Sequence, residues 1–295
     1  MKEPKTIDYQ EIPKTMKRNI YFITVVCLAS LLFSNSAFAQ EEEDKPVYEV
    51  FGSLLLIDNQ TTETPYKGSF ALEIQHRFSE IQEIADLFGI YGSANTRLGL
   101  SYGVTDKLML GFGTTRDYML QDLEWKYAIL KQTQSGRIPV SLSYHGNAVL
   151  DARADKYFGP EEDYNFAYRL SYLNQLIVSR KFGERTSLQF APTFVYYNAV
   201  PAGYRNSNAS LYFGGRFQVL GFSSIIFEYD QPILQAEEKV YPGLSLGVEI
   251  GTSTHSFRIF ATNYNTIVRN PAIAFNSNNP FDGDYRFGFN ITIRF

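Results

Sequence analysis

The amino-acid sequence predicts an all-β protein: an antiparallel transmembrane β-barrel of about twelve strands that follows a cleaved N-terminal signal peptide. Three observations predict this fold. Apolar and polar residues alternate along segment after segment, the segments are long, and the links between them alternate in length. Successive side chains of a strand point to opposite faces, so the alternation describes strands with one apolar and one polar face. No stretch approaches the ~20 consecutive apolar residues of a membrane-spanning helix.

The alternation is clearest in the last segment of the chain, which ends on an aromatic residue. Every second residue there is apolar, and the residues between are polar or glycine. The apolar residues are Tyr285, Phe287, Phe289, Ile291, Ile293 and Phe295. We expect their face to contact outer-membrane lipid. We also expect this strand to be the C-terminal signal that the barrel assembly machinery recognises.

Twelve segments of this kind are predicted to be strands. They cover 69–78, 94–104, 107–116, 119–131, 137–150, 164–181, 186–198, 207–219, 222–233, 242–252, 255–264 and 284–295. Most have ten or more residues, whereas strands of soluble domains average ~5–6 residues. A tilted strand needs ~9–11 residues to cross a bilayer, so the lengths favour a membrane barrel.

The links between the predicted strands alternate in length. Short links at 105–106, 132–136, 182–185, 220–221 and 253–254 alternate with links at 79–93, 151–163, 199–206, 234–241 and 265–283, which are mostly longer; the link near 117–118 is a short exception. Short turns on the periplasmic rim and longer loops outside are typical of outer-membrane barrels. Alternation alone also fits a soluble sandwich or lipocalin-like barrel with its apolar face inward. The export signal, the aromatic C-terminus and the charges on the polar face favour the membrane.

The N-terminus predicts a secretory signal peptide. A basic pair at 17–18 precedes an apolar run of 14 residues at 20–33, and Ala37 and Ala39 form an A-x-A cleavage site. The run is too short to span a bilayer. We expect initiation at Met16, because the residues before it contain prolines and acids that a signal peptide does not need.

The chain is therefore expected to have three parts: a signal peptide (1–39), a lead-in or lumenal plug (40–68) and the barrel (69–295). Cleavage would remove five cationic and three anionic residues and shift the formal charge from −4 to −6. It would also remove the only cysteine, so the exported protein would contain no disulfide bond. The charge is too small to indicate a nucleic-acid partner.

Charged residues on the predicted polar faces are the strongest chemical pattern. They are Glu73, Arg77, Arg97, Glu124, Lys126, Arg169, Arg216, Glu228, Asp230, Glu249, Arg258, Arg286 and Arg294. A cation that faces lipid at mid-bilayer costs ~2–4 kcal/mol, so we expect these side chains to point into the lumen. They would form either a selectivity ladder for permeating solutes or a salt-bridge network that fills a narrow barrel.

Three other patterns indicate local structure rather than chemistry. The link at 79–93 has apolar residues at helical spacing, which predicts a short helix at the rim. His76, His145 and His255 have neither a nucleophile nor metal-ligand spacing around them. The oxygen-rich run at 276–284 lacks the ordered ligands of a calcium loop. We therefore expect no catalytic residue, no metal and no cofactor.

Several segments also resemble an uncharacterised Bacteroidota family of outer-membrane β-barrels, domain of unknown function 5777. They are GSLLLIDNQT (52–61), IQHRF (74–78), DLFGIYGSANTRLGLSYGVTDKLMLGFGTT (86–115), LSYLNQLIVSRKF (170–182), IIFEYDQP (225–232), LSLGVEIGTS (244–253) and FGFNITIRF (287–295). The resemblance spans most of the exported chain. It implies an outer-membrane barrel and brings no active site or substrate.

These observations leave three functions open. The first is passive passage of small solutes through a charged, partly filled lumen. The second is a non-conducting barrel with a structural or surface-recognition role, and the third is a lipid-facing enzyme. Passage is the leading hypothesis. No clustered nucleophile and base supports the enzyme.

Overall fold

A computed structural model describes residues 44–81, 89–158 and 164–295. Twelve antiparallel strands form a closed barrel in which each strand pairs with its sequence neighbours and the first pairs with the last. The strands are β1 (Phe70–Glu80), β2 (Asn95–Gly103), β3 (Leu108–Thr115), β4 (Leu120–Leu130), β5 (Ser141–Asp151), β6 (Leu170–Phe182), β7 (Thr186–Tyr197), β8 (Ser207–Leu220), β9 (Ser223–Pro232), β10 (Gly243–Gly251), β11 (His255–Thr262) and β12 (Arg286–Arg294). One α-helix, α1 (Arg269–Phe275), lies in the β11–β12 loop.

The predicted barrel and its strand number are confirmed, and the largest differences lie at the starts of β5 and β6. β5 begins at Ser141 rather than at 137. The residues before it include Pro139, which has no N–H to donate to a neighbouring strand. β6 begins at Leu170 rather than at 164 because a 3-10 helix, Phe166–Arg169, precedes it. The side chain of Asn165 accepts a hydrogen bond from the Ala167 N–H and so caps that helix.

The two faces of the barrel wall differ sharply in chemistry. The outward face carries apolar residues that are about half exposed, such as Leu246 at 59 % and Phe112 at 55 %. Inward side chains are buried, and Arg77 and Arg258 are each only 1 % exposed. A continuous exposed apolar surface around a closed barrel requires lipid, not water. The alternative of a soluble barrel with an inward apolar face is therefore wrong.

The links differ at the two rims. The start of β1 and the end of β12 lie at the rim with the shorter links, which we call the periplasmic rim. The opposite rim is called extracellular. Gly183 and Gly221 begin two of the short periplasmic links, with φ of 60° and 50°. Glycine adopts this left-handed conformation without steric cost, which allows the chain to reverse within two or three residues.

Two segments enter the barrel from opposite rims. The first, called the plug, consists of residues 44–68 and enters from the periplasmic side. The second, called the extracellular insert, is the loop at 263–285 and contains α1. Most residues of both segments are buried, although all of them lie outside the strands.

Two predictions lie outside the described residues. They are the signal peptide (1–39) and most of the short helix in the 79–93 link. The described chain contains no helix that is long and apolar enough to cross a membrane.

Candidate functional site

The plug begins beside the periplasmic link between β4 and β5. Pro46 pairs with Thr133 as an isolated bridge, and the Val47 N–H donates to the Gln132 carbonyl at 2.8 Å. The chain then enters the lumen and reverses at residues 57–59. The Leu56 N–H donates to the Asn59 carbonyl at 2.9 Å in this reversal. The segment therefore forms a hairpin-like loop whose tip lies inside the barrel.

Glu228 of β9 holds the tip of the plug. Its carboxylate accepts hydrogen bonds from the backbone N–H groups of Ile57, Asp58 and Asn59 at 2.8, 3.0 and 3.1 Å. From β12, the amide of Asn290 donates to the Ile57 carbonyl at 2.6 Å. All of these groups are buried. A carboxylate that accepts several backbone N–H groups binds them more strongly than a neutral acceptor would.

Asp58 connects the tip to β1. Its carboxylate forms a buried ion pair with Arg77. The same guanidinium donates to the Asn290 side chain at 3.1 Å, and its carbon lies 4.2 Å from the centre of the Phe260 ring. Because three strands and the plug meet at this arginine, removal of either ionic partner would leave a buried charge without compensation.

Gln60 attaches the part of the plug that follows the reversal to β4 and β7. Its side-chain oxygen accepts a hydrogen bond from the Lys126 ammonium at 2.7 Å, and its side-chain nitrogen donates to Glu124 at 2.8 Å. The side chain of Gln189 donates to its backbone carbonyl at 2.8 Å. Within the described chain, no carboxylate oxygen lies within 4.0 Å of the Lys126 nitrogen.

An ionic cluster on the wall centres on Arg97 of β2. Its guanidinium contacts Asp122 at 2.5 and 2.9 Å and Glu124 at 2.6 Å. Glu73 lies 3.9 Å away, and Gln75 accepts a hydrogen bond at 2.9 Å. Asp122 was absent from the predicted lining, which named charged residues only and so did not include Gln75. Each lies two positions from a predicted member on the same strand, Asp122 from Glu124 and Gln75 from Glu73, so its side chain points to the same face. The alternation alone could have found both.

A second ionic group lies nearer the periplasmic rim. Glu249 of β10 accepts from Arg216 and from Ser256, each at 2.8 Å. Arg258 donates to Ser53 of the plug and, at 2.5 Å, to Thr292. No carboxylate lies within salt-bridge distance of Arg258 in the described residues.

The base of the plug is held at the same rim and within the segment itself. Arg294, at the end of β12, contacts Glu49 at 2.9 Å and the Gly52 carbonyl at 2.7 Å. Glu63 accepts hydrogen bonds from the Val50 and Phe51 N–H groups at 2.8 and 3.2 Å. Burial raises the pKa of Glu63 above the ordinary value of a glutamate.

The extracellular insert closes the other half of the lumen. Arg269 of α1 contacts Asp230 at 2.7 Å, and Asn270 donates to Ser171 at 3.0 Å. On the apolar side, Ile273 packs against Leu173 and Val195 of the wall. The helix is therefore fixed by both ionic and apolar contacts.

Asparagines of the insert form a structural clamp. The side chain of Asn263 donates to the backbone carbonyls of Pro242 and Asn278, both at 2.8 Å, and Asn278 donates back to the Asn263 carbonyl at 2.9 Å. Asn276 donates to the Tyr241 carbonyl at 3.2 Å. Several amides of this oxygen-rich stretch thus bind backbone. Among the described residues, no group of three or more His, Cys, Asp or Glu side chains is arranged to hold a metal ion.

Two cavities of the described structure adjoin these charged groups. One, of about 530 Å³, opens at the extracellular rim between the β1 and β2 ends and is called the vestibule. Arg77 and Arg286 contribute to its lining. The other, of about 20 Å³, lies between the plug tip and the extracellular insert, beside Asp58, His145 and Arg269. It has about the volume that one water molecule requires.

The structure places the predicted lining residues as follows, with one correction. Twelve of the thirteen lie on strands at positions whose side chains point inward. Among them, Arg286 lies at the extracellular end of β12, 3.8 Å from Glu80. Arg169 is the exception. It belongs to the 3-10 helix before β6 and forms an ion pair with Asp155 of an extracellular loop. The predicted strand began too early, so Arg169 was assigned wrongly to the lumen.

The three histidines lie apart from one another. The ring of His76 stacks on Phe289 on the lipid-facing side, with centroids 4.9 Å apart. His145 is buried in the lumen, 3.8 Å from Glu124. His255 lies at a periplasmic turn, where its ring contacts the Thr254 hydroxyl at 2.8 Å.

A family model covers the barrel and most of the plug. Residues 51–295 match the family model described as membrane bound beta barrel domain (DUF5777), and the chain belongs to that family. The family and the outward apolar face together make it an outer-membrane β-barrel in contact with lipid. No curated protein sequence matches the chain significantly.

Several solved structures are similar to this chain. An outer membrane channel from Pseudomonas putida F1 is 10 % identical with a TM-score of 0.47, over 79 % of this chain and 97 % of that one. The NanC porin is 9 % identical with a TM-score of 0.44, over 77 % and 98 %. Outer membrane phospholipase A from Escherichia coli is 15 % identical with a TM-score of 0.41, over 81 % and 96 %. A channel, a porin and an enzyme share the likeness, so it assigns none of their functions to this chain.

Proposed function

We propose that this barrel is a passage for small hydrophilic solutes that the plug keeps closed in the present state. One observation carries the proposal: the closed lumen buries Lys126 and Arg258 with no carboxylate at salt-bridge distance in the described chain. Removing an ion from water costs several kcal/mol unless a partner compensates. Withdrawal of the plug would hydrate both cations. This hydration would offset part of the cost of breaking the hydrogen bonds that hold the plug, as a gate requires.

The mixed charge of the wall supports a passage without strong ionic preference. Cations such as Arg97 and Arg216 have acidic neighbours at 2.5–2.8 Å, each on the next strand but one. A ring of one sign would favour ions of the opposite sign. Alternating signs instead favour neutral or zwitterionic solutes.

A second candidate is a non-conducting barrel with a structural or surface-recognition role. Apolar clusters beneath both closing segments favour it. Leu56 and Ile57 of the plug pack against Ile226 and Phe260 of the wall. Val268 of the insert packs against the wall as well. Such contacts are typical of a permanent core, because apolar groups gain nothing when the lumen fills with water.

The proposal assigns no chemical reaction to the barrel. Among the described residues, His76 and His145 form no hydrogen bond with a hydroxyl group. His255 contacts only the hydroxyl of its neighbour Thr254 in an exposed turn. A nucleophilic site needs a hydroxyl, an imidazole and an orienting third group within hydrogen-bond reach of one another. The charge network of the lumen serves closure instead.

The test is single-channel conductance in planar bilayers. We compare the exported chain, beginning at residue 40, with a chain that lacks residues 40–68 and with a control that lacks only 40–43. The proposal expects silence with rare openings from the full chain and the control, and steady conductance from the plug deletion. Silence from all three refolded, heat-modifiable proteins would favour the non-conducting barrel.

We further propose that the last strand is the segment that the barrel assembly machinery recognises. The strand closes the barrel against β1, and Phe295 is 70 % exposed at its end. Deletion of Phe295 is expected to lower the yield of inserted barrel in cells without changing refolding in detergent. An equal loss in both measurements would contradict recognition.

A further inference from the structure

The vestibule is a polar cavity at the extracellular mouth of the closed lumen. Its volume of about 530 Å³ lies within the ~300–1,000 Å³ of sites for small molecules. Its walls come from the ends of β1, β2 and β12 and from the links beside them. The lining residues that matter are Arg77, Glu80, Asn95, Asp117 and Arg286. Polar groups of both charge signs therefore line one cavity.

Three of these residues have buried N–H donors without a partner in the described chain. They are Arg286 Nε, Asn95 Nδ2 and Arg77 Nε. Asn95 is 5 % exposed and Arg77 only 1 %. A buried donor that binds neither protein nor ligand costs free energy, and such groups are rare in folded proteins. Their concentration around one cavity indicates that a hydrogen-bond acceptor from outside binds there.

Two carboxylates share the same cavity. The side chain of Asp117 accepts no hydrogen bond from the described residues, although its backbone N–H donates to Asn95 at 3.1 Å. Glu80 approaches Arg286 no closer than 3.8 Å, beyond hydrogen-bond distance. Burial raises the pKa of Asp117, so a cation beside it would relieve the cost of its charge. An anion alone would be repelled by both carboxylates.

We infer that the vestibule binds a zwitterionic solute of amino-acid or dipeptide size. Its carboxylate would accept hydrogen bonds from Arg286 and Asn95, and its ammonium group would donate to Asp117 and Glu80. One ligand of this class satisfies the Arg286 Nε and Asn95 Nδ2 donors and the Asp117 carboxylate, which have no hydrogen-bond partner among the described residues. If this ligand is also the solute that passes through the barrel, the inference rests on the proposed function. Binding itself requires no passage.

The ligand class is tested by titration calorimetry on the refolded barrel in detergent, with its plug intact. The probe is alanylalanine. N-acetyl-alanylalanine removes the ammonium group, and alanylalanine amide removes the carboxylate. We expect each derivative to bind at least about tenfold more weakly than the parent dipeptide, since each loses a charge-assisted contact. Equal binding of the acetylated probe would overturn the zwitterion in favour of a simple anion.

Variants assign the two ends of the ligand. Arg286→Gln should weaken alanylalanine about tenfold and leave the amide unchanged, whereas Asp117→Asn should weaken alanylalanine and leave the acetylated probe unchanged. Arg216→Gln, at the periplasmic rim, is the matched control and should bind all probes like the parent protein. Each variant is used only if its barrel is heat-modifiable.

The outcomes separate this inference from the proposed function. Binding without conductance from the plug deletion would support a zwitterion site on a non-conducting barrel. Conductance without binding of any probe would support the passage and overturn the zwitterion site. Loss of binding in Arg216→Gln would also overturn the site, because the effect would then not be local to the vestibule.

Discussion

The plug and the extracellular insert close the same lumen in different ways. Hydrogen bonds hold the plug, and they come from side chains of β1, β4, β5, β6, β7, β9, β11 and β12. At the tip, Arg77 forms an ion pair with Asp58, and Glu228 accepts three backbone hydrogen bonds. The insert has fewer such bonds. Both segments also pack against apolar patches of the wall, the insert through Ile273 and Val268 and the plug through Leu56 and Ile57. The insert is also tied to the rim by the asparagine clamp around Asn263.

The difference teaches which segment is suited to move. Water readily replaces hydrogen bonds and ionic contacts that break, but it does not replace apolar packing. Both segments have apolar contacts, so the difference lies in the larger number of hydrogen bonds that hold the plug, which water can replace when the plug leaves. We expect the plug to act as the gate and the insert as a fixed lid that narrows the outer half of the barrel.

The largest effect is expected from Glu228→Leu. Three buried N–H groups of the tip would lose their acceptor at ~1–3 kcal/mol each, which weakens attachment of the plug by about 3–9 kcal/mol. The readout is maleimide labelling of Asn59→Cys, whose position is fully buried. Glu228→Gln, which keeps one acceptor oxygen, should label at an intermediate rate. Labelling of the Leu variant no faster than its parent would contradict a role of Glu228 at the tip.

Ile273→Ala tests the lid. Removal of this buried side chain of α1 is expected to lower the free energy of unfolding by about 2–4 kcal/mol, because it leaves a cavity against Leu173 and Val195. Labelling at position 59 should stay unchanged. Phe281→Ala, at an exposed site of the same loop, is the control. Faster labelling in Ile273→Ala alone would mean that lid and gate move together.

A double-mutant cycle measures the ion pair between Asp58 and Arg77. The variants Asp58→Asn and Arg77→Gln, alone and combined, should give a coupling of about 1–3 kcal/mol in the labelling equilibrium at position 59. The physical reason is that each partner compensates the buried charge of the other. Additive effects of the two substitutions would show that the pair does not hold the tip.

The smallest effect is a dependence on pH through Glu63. Its pKa is raised by burial, so the plugged state binds its proton more tightly than the open state does. This stabilisation is present at low pH and is lost as pH rises past the ordinary pKa towards the raised one. The labelling rate at position 59, divided by that of a free thiol at the same pH because only the thiolate reacts, should therefore be higher at neutral than at mildly acidic pH, by less than about tenfold. In Glu63→Gln this contribution should disappear, and an unchanged profile would exclude Glu63 as its source.

Parity along the strands was enough to find most of the inward charges but not their partners. The alternation put Arg97 and Glu124 on the inner face, and the structure adds that they lie 2.6 Å apart. Their contact arises because β2 and β4 flank β3, whose Gly113 has no side chain to block the Arg97 guanidinium. Arg169 was misassigned because Tyr164, Phe166 and Tyr168 continue the apolar alternation of β6 backwards through a 3-10 helix.

From the sequence alone came the barrel, its strand number and the direction of its apolar face, because a period of two and strand length are local properties of the chain. The path of residues 44–68 could be named only as a possibility. Whether the plug enters the lumen depends on a side chain 171 residues away, Glu228, accepting the N–H of Ile57. The vestibule is likewise invisible in the sequence, since its walls meet only where β1 and β12 close the sheet. Local pattern thus determined the wall, and long-range contacts that no local pattern encodes decided what fills it.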